Sequence, residues 1–210
     1  MKLLHITVSP NRLNSASRAV AEYLLTQLRQ RYPGLQVTTL DLAQDPLPHL
    51  DALMVGAFLT KPDARSAGQQ QAVQLSDQLV DQLLAHDMLL IASPVWNLGL
   101  PSVLKAWFDH ITRAGRTFAF TAQGDKVGLV PDRPVFVVMA NGTPFIGQPT
   151  EQDDQFTPYI RTALRYIGVT NLKFIRVDGT HHPRTKACAV PEAMAATEFL
   201  INQFVNPQES

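Results

Sequence analysis

One cysteine in 210 residues, Cys188, leaves no internal disulfide to form and no CxxC pair for a metal or a redox couple. Charge of neither sign is in excess: 18 basic residues stand against 18 acidic ones, and the formal net charge is zero. Without a basic block there is no electrostatic footprint for nucleic acid, and without a charge run there is no disordered tail. Long apolar runs are missing as well. Nothing approaches the roughly 18 consecutive apolar residues of a membrane span. The stretch LLHITV after Met1 and Lys2 is too short for a secretory core, and no small-residue cleavage pattern follows it. Two phosphate-binding signatures are also lacking: GxGxxG, and GxxxxGK followed by Ser or Thr. What is left reads as a cytoplasmic protein, 45% hydrophobic and 17% charged, expected to form one domain over residues 1–210.

What is present alternates. KLLHITVS (2–9), QVTTLDL (36–42), DMLLIAS (87–93), PVFVVMA (134–140) and NLKFIRVDG (171–179) are strand-like runs. Between them lie helical patterns: Ser17 to Arg31, a short helix near Leu50–Leu59, and QQQAVQLSDQLVDQLLAHD. The last of these carries a stripe of Val73, Leu75, Leu79, Val80, Leu83 and Leu84. Further helices are expected at Val103–Ala114, Phe156–Ile167 and Pro191–Phe204, with a small hairpin formed by RTFAFT and KVGLV. The middle strands lack the period-two pattern of a half-exposed sheet. That predicts a parallel sheet covered on both faces, an α/β three-layer sandwich. Five strands with four crossovers suit the flavodoxin-like order 2-1-3-4-5, in which ligands bind beyond the carboxyl ends of the strands.

Three loops meet at that edge. The first, SPNRLNSASR, brings Asn14, Ser15 and Ser17 to a helix start, where N–H groups and the helix dipole favour a phosphate. A plain N-cap is the simpler reading of that loop alone. The second, SPVWNLGLP, places Trp96 and Asn97 where a connector would carry turn residues, a wall and an amide edge for a flat ligand. The third, ANGTPF, has Gly142 to admit close backbone approach between Asn141 and Thr143. Together they suit a planar ligand that ends in a phosphate.

These residues carry a resemblance. From Ser9 and the SAS of 15–17, through DLAQDPLPHLD, LSDQLVDQLLAHD and SPVWNLGLPSVLKAWFDHITRAGRTFAFT, to TPYI and YIGVTNLKF, the chain resembles the FMN-dependent NADH-azoreductase family. That family is related to the NAD(P)H–quinone oxidoreductases. The resemblance implies a homodimeric FMN enzyme that takes electrons from NADH or NADPH and reduces quinones or azo compounds. By position, Ser9, Ser15, Ala16 and Ser17 would hold the FMN phosphate. Pro94, Val95, Trp96, Asn97 and Leu98 would line the ring and ribityl, with Ala140, Asn141, Gly142 and Thr143 at the pyrimidine edge. The family's second loop is usually Met-Tyr-Asn-Phe-like and its third Ser-x-Gly-Gly. This chain departs from them at Val95, Trp96, Leu98, Ala140 and Thr143.

Phe118, Phe120 and Tyr166, with Trp96, are the candidates for a substrate wall, the hairpin being expected beside the flavin edge. No catalytic side chain is expected, because the flavin carries the hydride chemistry. His181 and His182 read as an exposed loop rather than a metal pair, and no metal is expected. Asp109, His110 and Arg113 read as a solvated or interface helix face, while His5 and Trp107 read as core. The alternative in another class is a flavodoxin-type electron carrier, against which the neutral charge speaks. A phosphatase would need a cysteine in the first loop, and a receiver module an acidic pair beside the first strand; Ser9 and its neighbours supply neither.

Overall fold

The computed structural model describes residues 1–145 and 147–205. Five parallel strands make the central sheet: β1 (Lys2–Thr7), β2 (Gln36–Asp41), β3 (Met88–Pro94), β6 (Val135–Ala140) and β7 (Leu172–Val177). Their order is β2-β1-β3-β6-β7, which is the expected 2-1-3-4-5 once the separate hairpin of β4 (Phe118–Phe120) and β5 (Lys126–Gly128) is set aside. The three inner strands are buried almost throughout, while β2 and β7 are partly exposed edges. Burial on both faces explains the missing period-two pattern, since alternate side chains enter two different cores.

One core joins Leu89, Ile91, Val135, Val137 and Met139 to α3 (Ala67–Leu84), α4 (Ser102–Ile111) and α5 (Phe156–Ile167). The other joins Met88, Leu90, Ala92, Phe136 and Val138 to α1 (Ala16–Arg31) and α6 (Ala189–Val205). A short α2 (Ala52–Leu59) packs on α3 and leaves Leu53, Val55 and Leu59 exposed. Helix starts follow local chemistry. Ser66 and Gln69 form a capping box for α3, and Ser15 caps α1 by accepting from the Arg18 N–H at 3.3 Å.

Several expectations need correction. Helix α4 ends at Ile111 rather than at Ala114, because the Arg113 N–H donates to Thr117 Oγ1 at 2.8 Å and the chain turns through Gly115 at φ +73°. Leu84 is 37% exposed, outside the buried stripe, at the last turn of α3. His110 and Arg113 are buried, not solvated: His110 Nε2 lies 2.9 Å from the Pro48 carbonyl, and Arg113 pairs with Asp77 at 3.1 Å. His5 and Trp107 are core residues as expected. Residues 206–210 of the expected 1–210 unit lie outside the described residues.

Candidate functional site

All five strands of the sheet point the same way, so the loops after β1, β3, β6 and β7 share one edge. There they surround a cavity of about 650 Å³. Its wall at one end is polar: Ser9, Asn11, Asn14, Ser15 and Ser17, with Ala16 at the first turn of α1. At the other it is apolar, from Pro94, Val95, Trp96 and Ala140, with Gly142 beside them. No Asp or Glu lines the cavity among the described residues.

The first loop is held in place from behind. The Arg18 guanidinium donates to the Ser9 carbonyl through Nε at 2.9 Å and Nη2 at 2.6 Å, and to both oxygens of Asp41 at 2.9 and 3.0 Å. Burial pushes the Asp41 carboxyl up. Its bonds from Arg18 and from the Ala43 and Gln44 N–H groups outweigh that and hold it below the usual carboxylate range. Ser15 and Ser17 hydroxyls stand 3.2 Å apart at the helix start. Beneath them His5, desolvated by burial and further disfavoured as a cation by Arg18, has its pKa lowered to about 4.

The second loop is a tight reversal. Trp96 and Gly99 exchange backbone bonds of 3.1 and 3.0 Å, and the two residues between them, Asn97 and Leu98, have φ of 47° and 71°. Positive φ at both central positions is the signature of a type I′ turn, which normally uses Asn and Gly. Leu98 adopts it at a cost of about 1–2 kcal/mol. The turn explains why Pro94, Val95 and Trp96 face the cavity while Asn97 and Leu98 do not line it. Gln155, just before α5, donates its N–H to the Leu98 carbonyl at 3.0 Å and locks the reversal.

In the third loop Ala140 and Gly142 reach the cavity, whereas Asn141 and Thr143 do not line it. Asn141 is buried, and its amide donates to the Thr143 carbonyl, so it shapes the loop from within. Nearby, Asp154 accepts from the Phe156 and Thr157 N–H groups, both at 2.9 Å, and from Arg176 at 2.6 Å. Burial raises its carboxyl pKa, but the bonds from Thr157 and Arg176 prevail and leave it lowered.

Phe118, Phe120 and Tyr166 come together, but elsewhere. Phe118 sits edge-on to Phe120 at 5.9 Å and to Tyr166 at 4.9 Å. Helix α5 starts beside Leu98 at the carboxyl edge and runs down to the beginning of β7, about 18 Å for its length. Tyr166 is therefore at the amino edge, and the hairpin lies on that end of α5, Gly128 against Gly168. The hairpin, expected beside the flavin edge, thus lies at the opposite edge of this chain's sheet. A chain that descends through α4 reaches the bottom of the sheet before it forms the hairpin.

Thr180, His181, Lys186 and Val190 also line the cavity, and sequence reading missed that role for them. The signal was available: any loop that follows a parallel strand opens at this edge, and DGTHHP follows β7.

The cavity fits FMN in kind. Its volume lies within the roughly 300–1,000 Å³ of small-ligand sites, and hydroxyls at a helix start, facing an apolar slot, match a phosphate-ended flat molecule. At Gly142 a Cβ would come within 2.8 Å of His181 Nδ1, so only glycine lets His181 lie this close over the third loop.

Comparison with known proteins agrees. The flavodoxin-like fold family matches residues 1–199. An FMN-dependent NADH:quinone oxidoreductase 2 of Hahella chejuensis is 56% identical over 201 residues, 96% of this chain and all of that protein. The azoreductase structure from Bacillus anthracis superposes with a TM-score of 0.88 at 24% identity, covering 97% of this chain and 99% of that one. Azoreductase AzrA does so with a TM-score of 0.84 at 25% identity, covering 94% and 99%. With matches of this extent, the chain belongs to the flavodoxin-like family, among the FMN-dependent NADH:quinone oxidoreductases.

Proposed function

We propose that this chain binds FMN in the carboxyl-edge cavity and works as a cytoplasmic, homodimeric NAD(P)H:quinone oxidoreductase that also cleaves azo compounds. The observation that carries the reading is the joining of hydroxyls at the α1 start to the Pro94–Trp96 slot in one carboxylate-free cavity. The chain's relatives, FMN-dependent NADH:quinone oxidoreductases, support FMN as cofactor and NADH as donor. Bound FMN would supply the redox chemistry, a two-electron transfer from nicotinamide to a quinone or azo acceptor.

The chain's own residues bind, orient and exclude water. Ser9, Ser15 and Ser17, with the Ala16 backbone at the first turn, hold the phosphate. Val95 and Trp96, with Ala140 and Gly142, would line the ring. Asn97, Leu98, Asn141 and Thr143 contribute through the turns they build rather than as wall. Trp96 is 46% exposed, so the slot stays open on one side to flat substrates. Phe118, Phe120 and Tyr166 reach an acceptor only across a subunit boundary. Phe120 is 63% exposed, and α2 exposes Leu53, Val55 and Leu59, faces that a second subunit covers. No helix among the described residues is long and apolar enough to cross a membrane.

One opening serves nicotinamide and acceptor in turn, which makes the kinetics ping-pong. Initial rates at several NADH concentrations give parallel double-reciprocal lines if so. Intersecting lines mean both substrates are bound together, and the shared opening would have to be abandoned.

A further inference from the structure

The segment between β7 and α6 is fixed to the cavity by backbone bonds. The Thr180 N–H donates to the Asn141 carbonyl at 3.0 Å and the His181 N–H to the Gly142 carbonyl at 3.1 Å. Thr185 Oγ1 closes the segment on the Gly179 carbonyl at 2.8 Å. Helix α6 then packs along α1, its Ala189 and Ala193 buried against the α1 face. Residues 180–190 therefore run from the third loop to the helix start where Ser15 and Ser17 stand.

Charge balance at that end is incomplete without this segment. A phosphate monoester brings about −1.5 to −2 charge at neutral pH. The helix start offers N–H groups and hydroxyls, a partial charge of roughly +0.5. Of the two guanidiniums in SPNRLNSASR, Arg12 does not line the cavity, and Arg18 is committed to the Ser9 carbonyl and is neutralised by Asp41. Among the described residues that line the cavity, the basic side chains are His181 and Lys186. His181 stands over Gly142, at the third loop. Lys186, in the turn just before α6, lines the same cavity as Ser15, Ser17 and Ala19 of the α1 start. Its flexible stem and compact ammonium suit a terminal phosphate.

We infer that Lys186 is the counter-charge of the FMN phosphate and that the segment 179–188 is a fourth wall of the cofactor site. The inference rests on FMN occupying this cavity. Lys186 acts on affinity and on the choice of the phosphorylated flavin; the chemistry at the ring does not involve it. Because Lys186 is solvent-exposed, its replacement leaves the core intact.

The test is equilibrium titration of apoprotein with FMN and, separately, with riboflavin, which lacks the phosphate. Lys186→Ala weakens FMN by about tenfold at low salt and leaves riboflavin unchanged. Lys186→Arg restores FMN binding, and the difference between wild type and Lys186→Ala shrinks as salt is raised to about 1 M. Ser17→Ala serves as the reference for the phosphate loop. If Ser17→Ala lowers FMN but not riboflavin while Lys186→Ala changes neither, the lysine role is wrong and the cofactor reading stands. If neither variant separates the two flavins, the phosphate lies elsewhere and both readings fall.

Discussion

At the carboxyl edge of the sheet the chain leaves space and carries strain: a cavity of about 650 Å³, bordered by a turn with Leu98 at φ 71°. At the amino edge it does the reverse. There Phe118, Phe120 and Tyr166 stack edge to face, Lys126 sits 4.1 Å above the Tyr166 ring, and Gly128 touches Gly168 so closely that no Cβ fits. Both regions lie at the ends of the sheet, and both carry aromatic side chains: Trp96 at one, Phe118, Phe120 and Tyr166 at the other. The difference is that one has to admit a ligand and the other has to seal a hairpin onto a helix. Strain that persists where no packing demands it marks the working edge.

The sharpest way to break this comparison is to damage the sealed edge alone. A Cβ on Gly128 would lie 2.2 Å from the Gly168 nitrogen, so Gly128→Val has to lift the hairpin off α5. We expect a cost of about 3 kcal/mol, and about 6–12 °C in Tm for a domain of this size. FMN affinity should stay near that of the unaltered protein. If both fall together in calorimetry and titration, the edges are coupled and the division is wrong.

The strand that joins the two edges gives a pH signature. His5 has a folded pKa of about 4 against about 6.5 when unfolded. The unfolded chain therefore binds the extra proton as pH falls below about 6.5. The stability that neutral His5 contributes is complete above that pH and is lost as pH drops toward 4. It amounts to about 3 kcal/mol from 1.36 kcal/mol per unit. Denaturant midpoints of His5→Leu should fall less steeply between pH 6.5 and 4 than those of the parent; identical slopes would place the acid sensitivity elsewhere.

At the working edge, Ser17→Ala should remove a charge-assisted hydrogen bond of roughly 1.5–3 kcal/mol, weakening FMN by roughly 10 to 150 times. Ser15→Ala should lose that and also about 1 kcal/mol of helix stability, since Ser15 is the cap of α1. Equal melting temperatures for the two variants would contradict the cap. The smallest effect is Leu98→Gly, which relieves the left-handed residue and should stabilise the fold by a fraction of 1 kcal/mol, after the entropy of the new glycine is subtracted.

How much of this was legible follows the same division. The five strands and the order of the sheet could be read because continuous apolar runs such as MLLIA and VFVVM have one physical use, burial on both faces. Helix α5 coincides with its expected bounds, stopped by Gly168 in the left-handed conformation. Ser9, Ser15, Ala16, Ser17, Pro94, Val95, Trp96, Ala140 and Gly142 line the cavity: strand direction pointed to their loops, and the family resemblance pointed to Ser9, Ala16 and Ala140 within them. Asn97, expected to offer an amide edge, and Leu98, taken from the resemblance, stand in a turn that reverses within two residues and do not line the cavity; Thr143, expected as a polar tip, does not line it either. The hairpin was misplaced for a different reason. Its position depends on where α4 ends, and the bond from Arg113 to Thr117 that ends it is invisible in a hydrophobic pattern.

The central claim is that FMN lies at the carboxyl edge with its phosphate at the start of α1. A crystal structure of the FMN-loaded protein tests it most directly. The account predicts phosphate oxygens within about 3 Å of the Ser15 or Ser17 hydroxyls, and the ring against Val95 and Trp96. Density for the flavin outside the carboxyl-edge cavity, or a phosphate away from α1, would contradict it.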